Sequence, residues 1–469
     1  MYSLIFLACA SFLLALFITP LCRNLFRRLD VMDRPDEQRK AHVTAVPHLG
    51  GVPVAISYLA ACGLLLLVPL RGGEFVAMHL ALVWKVSLAA GVVFATGVAD
   101  DLFRLKPWQK LAGQFAGASL AWWAGVRVDF VGGQPVGIEL GIALTILWLL
   151  ATTNALNLID GVDGLAAGIG MFAAAAMLLA ALLLQNNIPL ALATVPLVGA
   201  LAGFLRYNFS PASIFLGDSG SLLVGFLLGC FGVIWSQKST TVLAMTAPLM
   251  ALAVPLADTG LSILRRFIRR QPIFKADRGH IHHRLLDRGY TPRSVALILY
   301  AVCGIAAAFS LVQSSDHSPL AGAAIVVFCA VSWLGIRYLG YAELNLASPL
   351  RKTPAGVRYM EQRLICAPTV DDCWQGLRET CVALGFTELR MCVAGTVYFE
   401  RWNNSPSDVC WTLRLPLSGS DYVAIGHACA APAPATLGPI VDVLRRVLPA
   451  KMAEFQQPRP DAFRAASGR

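Results

Sequence analysis

The feature that most constrains this chain is a succession of apolar runs, each close to the length that crosses a bilayer. A helical span needs about 20 mostly apolar residues, because in hydrocarbon every backbone polar group must be satisfied within the segment. Such runs lie near residues 3–22, 50–70, 84–101, 109–126, 138–154, 164–184, 188–205, 221–236, 242–264, 294–313 and 319–341, about eleven in all. Of 469 residues, 57% are hydrophobic and 14% charged, against about 25% charged in soluble domains. The expectation is an all-α polytopic membrane protein. The first run has no basic segment ahead of it and its positive charges follow it, so it reads as a retained span.

A net charge of +10 would suggest a nucleic-acid partner in a soluble protein. Here the charge has a simpler use, because Lys and Arg gather in two loops, residues 23–49 and 265–293, while Arg71, Arg127 and Lys238 are nearly all that the opposite loops carry. The positive-inside rule puts both basic loops in the cytoplasm. With eleven spans the N-terminus then lies outside and the C-terminus inside, and connections 22–49, 102–108, 154–163, 206–220 and 265–293 share the cytoplasmic face. The twelve cysteines include no CxxC pair; reduced structural thiols are the expected state, with zinc or disulfides the alternative.

Ionisable residues at membrane depth are costly and mark function by default. Asp100 and Asp101 end the third run, in GVADDLFRLKPWQK. Asn154, Asn157, Asp160 and Asp163 end the fifth, in NALNLIDGVDGL. Asp218 precedes the eighth, in FLGDSGSLL, and a basic segment ending in HIHH, His280 to His283, follows the ninth. The topology rests on Lys and Arg alone, yet it gathers all four clusters on one face. In NALNLIDGVDGL the polar residues recur every three positions, so each turns about 60° from the last on an ideal helix. The two Asp-Gly pairs point to a helix that tightens or ends there and restarts near Leu165; an ordinary turn is the plain alternative.

Oxygen-only ligands suit Mg²⁺ or Mn²⁺, and Mg²⁺ is usually held by one or two carboxylates together with substrate phosphates. The Arg-rich segment from Arg265 to Arg284 suits anionic oxygens, although Arg265 and Arg266 also fit simple positive-inside anchoring. HIHH reads as an anion-contacting loop, with zinc as the alternative. Asp218 and Ser219, between Gly217 and Gly220 ahead of a helix, suit a phosphate or a metal–phosphate pair, or an ordinary N-cap. Asp371-Asp372, at the head of a soluble helix, reads as capping.

RPDEQRKAHVTAVPHLGGVP, ADDLFRLKPWQKLAGQ, NALNLIDGVDGLAAG, FLGDSGSLL and DRGHIHHRLLDRG, in that order over about residues 20–345, resemble the polyprenyl-phosphate N-acetylhexosamine-1-phosphate transferases. HIHH, rather than three consecutive histidines, is similar to the bacterial undecaprenyl-phosphate GlcNAc-1-phosphate branch. His48 departs from the pattern, where arginine is common.

The resemblance implies transfer of GlcNAc-1-phosphate from UDP-GlcNAc to undecaprenyl phosphate with release of UMP, the first membrane step of a cell-envelope polysaccharide. It implies catalytic Asp100, Asp101, Asp160 and Asp163, and Mg²⁺ (or Mn²⁺) ligands Asp218 and Asn157. Substrate contacts would be Lys40, His42, Lys110, Asn154, Arg278, His280, His282 and His283. The implied setting is a bacterial inner membrane with site and C-terminus cytoplasmic; a homodimer is compatible with it. Rival readings are phospho-MurNAc-pentapeptide transfer to the same lipid, a secondary transporter with cytoplasmic-face carboxylates, and a silent scaffold.

The organisation expected is a transmembrane domain over 1–345, a small cytoplasmic α+β domain over 346–456 and a disordered tail over 457–469. In the α+β part, helices are predicted over about 371–384 and 437–454, with strands in ELRMCVAGTVYFERW, VCWTLRLPL and DYVAIGHACA.

Overall fold

The computed structural model describes residues 1–33, 45–131, 134–183, 187–237, 252–268, 279–313, 355–402, 409–417, 421–428 and 437–456. The predicted span at 319–341, the tail at 457–469 and the site candidates Lys40, His42 and Arg278 lie outside these residues. The chain divides into two compact units, Met1–Gly340 and Tyr341–Arg469.

The first unit is helical: α1 (Tyr2–Arg28), α2 (Gly51–Leu67), α3 (Arg71–Met78), α4 (Leu80–Phe103), α5 (Pro107–Trp123), α6 (Ile138–Ile159), α7 (Leu165–Leu183), α8 (Ile188–Asn208), α9 (Gly217–Gln237), α10 (Ala253–Ile268), α11 (Ile281–Asp287) and α12 (Pro292–Gln313). Among the described residues seven helices are long and apolar enough to cross a membrane, or eight if the bent pair α2–α3 is one span. The count of eleven is therefore not reproduced. Two of the expected spans, α2 and α5, are helices of only 17 residues, and α10 has 16. Proline explains the first: Val68, ahead of Pro69, is extended, as the proline ring demands of its predecessor, and α3 leaves α2 at 105°.

Small residues set the helix spacing. On α1, Ser3, Leu7, Ser11, Ala15 and Thr19 form a buried stripe at four-residue intervals. Gly199 and Gly203 of α8 meet it so closely that a methyl group on Gly199 would stand 2.0 Å from Ser11 Oγ. Such contacts replace the hydrophobic drive that lipid-embedded helices lack. The most enclosed span is α9, with 83% of it buried, and it packs on α2, α4, α6, α7 and α8. Gly51 and Gly97 allow this, because a methyl group on either would lie within 2.6 Å of backbone atoms at Asp218 to Gly220. Two residues of β1 (Met32–Asp33) pair with β2 (Val46–Pro47). Gly50 and Gly51 then donate to the carbonyls of Phe215 and Leu216 at 2.9 Å, tying the first loop to the start of α9. A second two-residue pair, β3 (Phe130–Val131) with β4 (Gln134–Pro135), precedes α6.

The second unit holds an antiparallel sheet in the order β6 (Thr396–Arg401), β5 (Glu388–Val393), β8 (Tyr422–Ala428), β7 (Val409–Pro416). Alternation decides its buried face: Leu389, Met391 and Val393 point into a core with Leu415, Val423 and Ile425, while Arg390 is exposed. That core is completed by α13 (Ala355–Cys366), α14 (Val370–Ala383) and α15 (Leu437–Gln456). The sequence reading did not include α13. Thr369 caps α14, accepting from the Asp372 amide at 3.2 Å and donating to its carboxylate at 2.6 Å. Thr369→Ala should cost this unit about 1 kcal/mol, read as faster amide exchange across α14; Asp371→Asn should leave that exchange unchanged. The nine cysteines whose side chains are described are free thiols.

Candidate active site

The segment NALNLIDGVDGL stays helical through Ile159, turns over 160–164 and resumes at Leu165. Gly164 takes φ +76°, a backbone that glycine adopts without strain, and its carbonyl accepts from Tyr300 Oη at 2.6 Å. Because Asn154 and Asn157 both lie on the helix, their three-residue spacing aims them at different neighbours. Asn154 donates to Gln114 Oε1 on α5 at 2.6 Å and accepts from its amide at 3.3 Å. Asn157 donates to Asp218 Oδ1 on α9, and to Ser221 Oγ at 2.9 Å.

Lys110 of α5 stands between two carboxylates. Its Nζ is 2.7 Å from Asp100 Oδ2 and 2.8 Å from Asp218 Oδ2. The paired aspartates of α4 thus do different work. Asp100 faces Lys110 and accepts from the Leu105 amide at 2.8 Å. Asp101 turns to α9 and accepts from the Asp218 and Ser219 amides at 2.8 and 2.9 Å, satisfying donors that a helix start leaves open. Gly217, at φ +72°, fits there because a methyl group would stand 1.9 Å from the His48 carbonyl. His48 Nε2 in turn lies 2.9 Å from the Asp101 carbonyl, so the residue that departs from the family pattern ties the first loop to α4. A cavity of about 250 Å³ opens beside Asp100, Lys110, Gln114, Asn154 and Asn157, floored by Leu105, Pro107 and Leu111.

Beyond the turn, Asp163 Oδ2 accepts from the Ala212 amide at 2.9 Å. Burial holds the Asp160 carboxyl well above its ordinary range, with Asp218, Asp101 and Asp163 adding to the effect.

The histidines form a second cluster. His280 Nδ1 is 2.9 Å from Asp258 Oδ2, and the ring stacks on His282 at 5.7 Å. His282 tilts against His283 at 4.3 Å. Burial, and then the neighbouring His283, lower His282 to about 3. A methyl group on Gly161 would stand 2.5 Å from His282 Nε2, which joins the histidine cluster to the NLIDGVDG turn. Gly161→Ala should therefore cut any activity of this site about tenfold or more by prising the two apart, with detergent-extracted protein still folded; unchanged kinetics would show that the contact does not matter.

One feature is missing from the sequence reading: Asp258, 1% exposed inside α10, although it is ionisable at membrane depth. Arg265 and Arg266, for which anion contact and anchoring are the two sequence readings, are buried at 3% and 8%, and Arg265 Nη2 donates to the Gly279 carbonyl at 3.0 Å.

Among the described residues no three His, Cys, Asp or Glu side chains converge closely enough to hold a metal by themselves. The donor set around Asp218 nonetheless fits a hard cation. Two carboxylates already share one positive charge at Lys110, and a Mg²⁺ beside them would take its other ligands from water and substrate phosphate.

Residues 83–236 match the family model described as glycosyl transferase family 4. A probable undecaprenyl-phosphate N-acetylglucosaminyl 1-phosphate transferase of Bacillus subtilis is 33% identical over 331 residues, 70% of this chain and 85% of the relative. A decaprenyl-phosphate N-acetylglucosaminephosphotransferase of Mycobacterium leprae is 34% identical over 316 residues, 62% of this chain and 79% of the relative. A phospho-N-acetylmuramoyl-pentapeptide-transferase of Desulforamulus reducens is 30% identical over 323 residues, 63% of this chain and 91% of the relative.

Proposed function

This chain belongs to glycosyl transferase family 4, the polyprenyl-phosphate N-acetylhexosamine-1-phosphate transferases, and from that membership we propose that it moves GlcNAc-1-phosphate from UDP-GlcNAc to undecaprenyl phosphate. The products are UMP and GlcNAc-diphospho-undecaprenol. The observation that carries this reading is the Asp100–Lys110–Asp218 arrangement, which draws two separated sequence motifs into one charged cluster at helix ends beside an open cavity. A transporter's coupling site is expected nearer the midplane.

The reaction brings two anions together, so the site must cancel charge and fix an in-line approach. A Mg²⁺ held by Asp218, its carboxylate oriented by Asn157, would neutralise charge on the donor diphosphate. Lys110 contributes a second positive charge, and the positive end of the α9 dipole adds to it. Asp101 acts at one remove by capping α9 and so fixing where Asp218 points. Asp100 orients Lys110 toward the cavity. A phosphate monoester has its second pKa near about 6 and is already mostly dianionic at neutral pH, so the acceptor needs orientation more than deprotonation. Asn154, held by Gln114, lines the acceptor side. Asp160, Asp163 and the histidines face the donor, where Lys40, His42 and Arg278 would join them. This face is cytoplasmic in a bacterial inner membrane crossed by about eleven spans. The C-terminal α+β unit, over about 346–456, lies on the same side of the membrane.

The competing reading is phospho-MurNAc-pentapeptide transfer, the activity named for the Desulforamulus relative. Mass spectrometry of the lipid product decides between them. Incubation with undecaprenyl phosphate and an equimolar mixture of both UDP-sugars should give a lipid diphosphate carrying a single N-acetylhexosamine. A product carrying the pentapeptide would overturn the donor assignment.

A further inference from the structure

Resting on the transfer reading above, we infer that Asp258 is a positioning residue of the reaction, acting through His280. Both of its oxygens are engaged by the start of the histidine motif: Oδ2 by His280 Nδ1 and Oδ1 by the Ile281 amide, each at 2.9 Å. The Asp258 contact engages His280 Nδ1, so Nε2 is the ring nitrogen left for a ligand.

The rest of the segment is fixed with the same economy. Arg265 lies seven residues after Asp258, two turns along the same helix face. Its guanidinium and Arg284 Nε both donate to the Gly279 carbonyl at 3.0 Å. The guanidinium lies close against Gly279: a methyl group there would stand 1.7 Å from Arg265 Nη1 and would displace it. One face of α10 therefore sets the position of residues 279–281, and with them the ring plane of His280 and, through the stacked rings, the contact of His282 with Gly161. A side chain that fixes the tautomer and plane of a functional histidine is worth about 10–100-fold when removed, judged from metal-bound histidines.

The test is a double-mutant cycle on the full chain in detergent, with Asp258→Asn, His280→Gln and the pair. Asn presents a single acceptor, so it cannot serve both His280 and Ile281. Expected is a fall in kcat of about 10–100-fold for Asp258→Asn, with KM for UDP-GlcNAc within about threefold of wild type. The double variant should be no slower than the worse single variant, because on this inference the carboxylate acts on turnover through His280. Losses that multiply would mean that Asp258 acts independently of His280 and would overturn the inference, as would an unchanged kcat. Amide exchange on the same proteins separates this result from failure of the transfer reading. Asp258→Asn should speed exchange over Ile281–Asp287 and leave α7 and α9 protected. If wild type turns over no donor, the transfer reading fails and the exchange result alone decides the clamp; unaltered exchange would overturn it.

Discussion

Asp218→Asn is expected to lower turnover by about 10³-fold or more and to remove the dependence on Mg²⁺ in the accessible range. The carboxylate is where three positive influences meet. Lys110 Nζ lies at 2.8 Å, the amide of Asn157 donates from the other side, and Asp218 sits in the first turn of α9, at the positive end of the helix dipole. Asparagine keeps the volume and one acceptor. It also turns an NH₂ group either toward the Lys110 ammonium or toward the Asn157 amide, donor against donor, and it loses the charge that would hold a cation. The measurement is UMP release against Mg²⁺ concentration. Near-normal turnover by the folded variant would exclude Asp218 as a ligand.

Lys110→Met should be nearly as severe, with a loss of about 10²–10³-fold, for the complementary reason. Without the ammonium, Asp100 and Asp218 face each other as like charges at the edge of the cavity. Breaking a buried pair by removing one partner costs about 3–5 kcal/mol, an upper figure here because Lys110 and Asp218 are partly exposed. The variant should therefore also be less stable. Added Mg²⁺ should restore part of that stability by standing in for the lost charge, but little of the turnover if, as proposed, Lys110 also serves the substrate phosphate. The checks are melting temperature and kcat, each followed across a Mg²⁺ titration. Full rescue of turnover by Mg²⁺ would mean that Lys110 serves only to neutralise the aspartates.

How far the sequence led can be traced through particular residues. Asp100 and Lys110 share one motif, Asn157 and Asp218 belong to two others, and the three come together in the fold, as their shared placement at helix ends suggests. The pattern could not show that adjacent Asp100 and Asp101 divide their work, one facing Lys110 and the other capping α9. Successive helical positions point about 100° apart, and only the packing of α4 against α9 says which position faces which neighbour. Asp258 was legible in principle, since a carboxylate in AVPLADTGLSIL breaks an apolar run. The denser charges just after that helix mask it in the pattern. For Arg265 and Arg266 the sequence leaves anion contact and anchoring both open, and burial beside Gly279 gives Arg265 a structural partner besides. At the second run, expected over 50–70, α2 ends at Leu67 just ahead of Pro69 and α3 leaves it at 105°, a bend that hydropathy alone does not show.

The account stands most directly on UMP release by the purified chain, assayed with UDP-GlcNAc, undecaprenyl phosphate and Mg²⁺ together and with each omitted in turn. The account predicts release only when all three are present, with chelation of the metal abolishing it and added Mg²⁺ restoring it. Release that persists without lipid phosphate, or no release from folded protein in the complete mixture, would contradict it.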